Sequence, residues 1–92
     1  MTIEEFGDII NCDLVIRRYS NQNNRYMCQF EHSETKESEH SAILEGTYGN
    51  GYSISNAISD YVERIRGRFI VLNAYDKEKR KVYGVPETLT IN

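Results

Sequence analysis

The sequence predicts an α+β domain, an antiparallel sheet with helices packed on one face, in the order α-β-β-β-α-β-β. Three observations lead there. Thr2–Ile10 and Ser53–Ile65 each carry apolar residues at helical spacing behind a capping residue. Between them, two runs rich in β-branched and aromatic residues flank an asparagine turn. After the second helix, Phe69–Tyr75 is strongly apolar and is followed by a charged turn. The whole fits in 92 residues, one domain's worth.

The first helix opens on a capping box. Thr2 is placed to accept from an early helical N–H while Glu5 reaches back to the cap. Glu4, Glu5 and Asp8 suit the positive end of the helix dipole, and Ile3, Phe6, Ile9 and Ile10 form one stripe. Asn11 is the expected stop.

Leu14–Tyr19 and Arg25–His32 read as a hairpin about Asn21-Gln22-Asn23-Asn24, because asparagine tolerates left-handed backbone. Alternation puts Tyr26, Cys28 and Phe30 on one face and Arg25, Met27, Gln29 and Glu31 on the other. Ser33–His40 holds no apolar residue and reads as a solvated, mobile loop or hairpin tip. Ser41–Tyr48, with Ala42, Leu44, Gly46 and Tyr48 on one face, reads as the third strand.

A glycine turn, Gly49-Asn50-Gly51, then leads into the second helix, which Ser53 caps. Ile54, Ala57, Ile58, Tyr61, Val62 and Ile65 form its apolar stripe, Asp60 and Arg64 pair one turn apart, and Gly67 ends it. Gly46 and Gly49 fit a strand end that a helix approaches closely. Phe69–Tyr75 is expected away from the sheet edge and Arg80–Val85 at an edge, with Leu89 and Ile91 adding a short extension.

Seven tyrosines and three phenylalanines supply aromatic bulk in the absence of tryptophan. Net charge is −3 and uneven: residues 1–60 carry ten acidic and four basic side chains, residues 61–92 four and seven. That balance is the reverse of a uniformly basic nucleic-acid binder and suits a charged protein partner. No apolar run is long enough to span a bilayer and no secretory pattern opens the chain, so the cytoplasm is the expected compartment. Cys12 and Cys28 are then expected as reduced packing residues.

No residue set spells out a reaction. His32 and His40 flank flexible carboxylates and read as surface residues, so no metal is expected. Cys28 and His32 share a strand face but stand about 13 Å apart by strand rise, too far for a nucleophile pair. No G-x-S-x-G elbow occurs, and the glycine turn lacks a phosphate-loop lysine. Neither catalysis nor a cofactor is expected.

The stretch from Gly49 to Ala57, GNGYSISNA, resembles the glycine turn and second-helix start of double-stranded-RNA-binding domains, G-x-G-x-S-K-K-x-A. Where that family places two lysines on RNA phosphates, this chain has Ile54 and Ser55, so the resemblance implies the build without the clamp. The same skeleton is similar to HicB-like antitoxins, with Ser55 and Asn56 in place of two acidic residues. Across nearly the whole chain, Asn21–Tyr26, Gly49–Gly51, Ala57–Tyr61 and Ile65–Tyr75 resemble small accessory proteins of phages and prophages of low-GC bacteria. That group's small acidic members include anti-CRISPR inhibitors of Cas nucleases.

The resemblance implies a phage-encoded, non-enzymatic inhibitor of a defence nuclease, binding a host protein such as a Cas effector in the bacterial cytoplasm, as monomer or homodimer. Its expected contacts are Glu31, Glu34, Glu37 and Glu39, a row of carboxylates able to stand in for phosphates, with Tyr48, Tyr52, Asn23 and Arg25. Nucleic acid is the alternative partner, through Arg64, Arg66, Arg68, Lys77, Lys79, Arg80 and Lys81. A HicB-like antitoxin half is the other alternative.

Overall fold

The computed structural model describes residues 1–21 and 24–92. Helix α1 covers Ile3–Ile10 and opens on the predicted capping box: the Thr2 hydroxyl accepts the Glu5 N–H at 3.1 Å, and the Glu5 carboxylate accepts the Thr2 N–H at 2.9 Å. The Thr2 N–H and hydroxyl hold the Glu5 carboxyl below its ordinary value. Asn11, at φ 52°, ends the helix in the left-handed region. Ile3, Phe6 and Ile10 are buried, while Ile9 faces solvent.

The strands are Leu14–Arg18 (β1), Tyr26–Phe30 (β2), Ser33–Lys36 (β3), Gly49–Gly51 (β4), Phe69–Leu72 (β5) and Lys81–Gly84 (β6), with helix α2 at Ile54–Ile65 between β4 and β5. Every pairing between these strands is antiparallel, in keeping with the α+β class, and they divide between two sheets, β1-β2-β4 and β3-β5-β6. The hairpin reading of β1 and β2 holds, with Leu14 opposite Phe30 and Arg18 opposite Tyr26. β5 lies at the centre of its sheet and β6 at an edge, as their compositions implied.

Three local expectations are corrected. The polar stretch after His32 is not a loop throughout: β3 is a strand, and Ser33, Thr35 and Lys36 are buried. Its backbone pairs with apolar β5 on one side and, through Thr35, with Glu45 on the other. Its side chains find acceptors or partners of their own: Ser33 Oγ donates to the Phe30 carbonyl at 2.7 Å, Thr35 Oγ1 meets Thr47 Oγ1 at 2.6 Å, and Lys36 Nζ donates to the Glu39 carbonyl at 2.6 Å. Polar residues can therefore be buried here without loss.

Ser41–Tyr48, in turn, is no third strand and keeps only the Glu45–Thr35 bridge. The place beside β2 belongs to the glycine segment, β4, with Cys28 opposite Gly49 and Tyr26 opposite Gly51. The glycines serve closeness rather than turning. A Cβ on Gly49 would land on the Ala57 carbonyl oxygen and within 2.5 Å of the Tyr61 nitrogen, and one on Gly51 within 2.5 Å of the Ala57 nitrogen. Gly46 makes no such approach, its nearest neighbour being a Glu34 oxygen at 3.9 Å. Finally, β5 stops at Leu72; Asn73 turns at φ 51° and leaves Tyr75 in the turn.

Ser53 caps α2 by accepting the Asn56 N–H at 3.0 Å, and Gly67, at φ 69°, follows its end. Ala57, Tyr61, Val62 and Ile65 are its buried face; Ile54 is exposed. Phe30 is the centre of the core. It meets Phe6 of α1 at 6.0 Å between centroids and Tyr61 of α2 edge-on at 5.8 Å, so both helices lie on one face of β1-β2-β4. The Tyr61 hydroxyl accepts the Phe30 N–H at 3.0 Å, beyond the end of β4. Ile70 and Leu72 of β5, with Val85 and Leu89, complete the same core. Thr90 bridges to Thr2 in place of a longer terminal strand. No helix among the described residues is long and apolar enough to cross a membrane.

Candidate functional site

Because β2 alternates, the face of β1-β2-β4 turned away from the helices carries Val15 opposite Gln29, and Arg17 opposite Met27, which itself lies opposite Asn50. Tyr19 continues this face and donates its hydroxyl to Asn50 Oδ1 at 3.0 Å. At the same end the Arg25 guanidinium lies 5.1 Å from the centre of the Tyr52 ring, a cation–π arrangement, and its Nε is buried with no acceptor among the described residues. Tyr52 and Tyr48 flank β4 and are both exposed.

At the other end, the β5–β6 turn rises beside this face and closes a groove of about 720 Å³. Val15, Arg17, Met27 and Gln29 line it from the sheet, and Glu31, Glu34 and Asp76 are the carboxylates around it. Tyr75, 86% exposed, stands at the lip. Carboxylates outnumber cations around the groove, which favours a basic ligand.

The acidic row predicted from the sequence is thereby divided. Glu31 and Glu34 border the groove, whereas Glu37 and Glu39 lie past the far end of β3, where Lys36 meets the Glu39 backbone. Tyr52 and Arg25 come together; Asn23 lies outside the described residues. Arg17, Met27, Tyr75 and Asp76 belong to the surface and were not singled out from sequence. For Met27 the signal was present, in its alternation with Cys28. Tyr75 and Asp76 needed the knowledge that β5 turns at Asn73.

The seven cations of the nucleic-acid alternative also divide. Arg64 pairs with Asp60 and Arg68 with Glu45, each at 2.9 Å, and Arg66 Nε donates to the Leu89 carbonyl at 2.8 Å. Lys77, Lys79, Arg80 and Lys81 are exposed on the β5–β6 turn and the start of β6, at the opposite end of β5 from Arg68. They form two groups rather than one patch.

A smaller cavity of about 260 Å³ adjoins the groove, where Asn11, His32 and Asn73 all adopt left-handed backbone. Cys12 lines it, but burial raises its thiol pKa, and Sγ lies 3.3 Å from the Glu31 carbonyl, a contact that suits the protonated form. Burial pushes Cys28 to about 12. Both thiols are free and poor nucleophiles. His32 Nε2 lies 3.6 Å from Glu31 Oε1, both side chains being exposed. Among the described residues no cluster of histidine, cysteine and carboxylate side chains is placed to hold a metal ion.

No protein-family model matches the chain, and no curated protein or solved structure matches it, so the groove and the face beside it are what bears on function.

Proposed function

We propose that the chain is a non-enzymatic, phage-encoded inhibitor of a bacterial defence nuclease, of the anti-CRISPR type, acting by protein–protein binding in the host cytoplasm. The observation that supports this reading is the groove on the outer sheet face, lined by Glu31, Glu34 and Asp76 with Tyr75 exposed beside them. Carboxylates held on β3 and in the turns after β2 and β5 are pre-positioned to meet lysine or arginine side chains that otherwise grip phosphates. Exposed tyrosines beside them supply rigid contact area at low entropic cost. The division of the basic residues into two groups, three of them already bonded within the chain, weighs against nucleic acid as the partner.

The test is a set of DNA-cleavage assays with several Cas effector types, with and without the purified protein. Inhibition by the native chain, lost when Glu31, Glu34 and Asp76 are together changed to lysine, is the expected result. Undiminished cleavage across the effectors, or equal inhibition by the lysine variant, overturns the reading.

A further inference from the structure

The two sheets have four outer edges, and the chain treats them differently. At β4 the outward Asn50 N–H is taken by the Asp60 carboxylate of α2 at 2.8 Å. At β3, Thr35 and Glu45 exchange two backbone hydrogen bonds, both 2.8 Å. At β6 the register leaves only Val82 and Gly84 facing outward, because Val85 bonds Arg68 on the β5 side. β1 leaves a longer edge open than β6 does. Tyr19 N–H donates to Arg25 and Glu31 N–H to Asp13, so the odd-numbered residues turn their backbone groups to β2. Leu14, Ile16 and Arg18 therefore present their N–H and C=O groups along an edge that no described element covers.

The side chains on this edge say what fits it. Arg17 and Arg18 are adjacent and exposed, on opposite faces of the strand, and among the described residues no carboxylate pairs with either. Ile16 between them and Leu14 is 37% exposed. In a chain of net charge −3 this is a cationic strip with its backbone unspent.

We propose that the free edge of β1 takes up an extended, acidic segment of a protein partner as an added strand. Backbone hydrogen bonds to Leu14, Ile16 and Arg18 set its register. Carboxylates on its two faces meet Arg17 and Arg18, and an apolar residue covers Ile16. The same two arginines disfavour stacking of basic edges, so they admit an acidic strand while discouraging others. This inference does not depend on the partner being a nuclease; it concerns the backbone edge of β1, and Arg17 is the one cation it shares with the groove.

The probe is a short fluorescein-labelled peptide alternating glutamate and valine, with a lysine–valine peptide as control. Binding is read by anisotropy and mapped by amide NMR shifts on the isotope-labelled chain. The expected outcome is binding of the acidic peptide alone, with shifts at Leu14, Ile16 and Arg18. The double variant Arg17→Glu, Arg18→Glu weakens it about ten-fold or more. Ile16→Pro removes an outward N–H without touching a β1–β2 hydrogen bond, and it abolishes binding while circular dichroism stays native. If that variant unfolds, the arginine pair and the shift map on the native chain still decide. No binding of the acidic peptide, equal binding of the lysine peptide, or shifts confined to the groove overturns the proposal. So do shifts of β1 amides on raising the protein concentration alone, which would give the edge to a second copy.

Discussion

The two edges of the β1-β2-β4 sheet solve the same problem in opposite ways. β4 is the shortest strand, made of two glycines and an asparagine, and α2 lies directly on it. Its one outward N–H is capped by Asp60, whose other partner is Arg64. β1 is longer, carries bulky and charged side chains, and among the described strands pairs with β2 alone. The comparison teaches that an edge closes where side chains are removed and a helix carboxylate steps in, and stays open where side chains keep other elements away.

The strongest way to break the contrast is to restore a side chain at the closed edge. Gly49→Ala puts a methyl group against the backbone of α2, and backbone cannot step aside as a flexible side chain would. Destabilisation of about 3 kcal/mol or more is expected in urea denaturation, or failure to fold. β1 offers no position where so small a change has such an effect.

Tyr61→Phe comes next. It keeps the ring edge against Phe30 but leaves the buried Phe30 N–H without its acceptor. A loss of about 1–3 kcal/mol is expected, with an unchanged urea slope. A loss near zero would mean that water replaces the hydroxyl and that this end of β2 is open after all.

The smallest effect sharpens the comparison through pH. Partial burial works to raise the Asp60 pKa, but the Asn50 N–H and the Arg64 guanidinium outweigh it and hold the carboxyl below its ordinary value of 3.8. A group depressed in the fold stabilises it above the unfolded pKa and ceases to as pH falls through the folded one. Asp60→Asn, whose amide oxygen still accepts from Asn50, is expected to lose about 1 kcal/mol or less at neutral pH. Below pH 3.8 its deficit relative to the native chain shrinks. Thermal melts of both proteins across that window check it.

The parts of this fold that were legible in the sequence are those whose cause is local. Thr2 with Glu5, Ser53 before its stripe, Asp60 with Arg64, and Gly67 after α2 act within one helical turn, and each stands where its chemistry placed it. The alternation in β2 likewise assigned the wet face that became the floor of the groove. What escaped was set by partners distant in sequence. β3 carries no apolar residue and is a strand because β5 and Glu45 flank it. β4 carries no apolar or β-branched side chain to declare it, and only the approach of Ala57 and Tyr61 explains its glycines. The acidic residues looked like one row because they are close in sequence, yet the strand between them carries Glu31 and Glu37 to opposite ends.

Tyr61 has one more consequence. Burial, against the opposing hydrogen bond from Phe30, pushes its phenol up to about 12 from the ordinary 10. An acid whose pKa is raised by folding ionises first in the unfolded chain, so the fold loses stability as pH climbs from 10 toward 12. In a chain without tryptophan, phenolate absorbance is the natural optical signal. After a rapid jump to alkaline pH, the Tyr61 proton leaves only as the core opens around Phe30. Its slow absorbance phase is a built-in clock for the rate at which this domain comes apart.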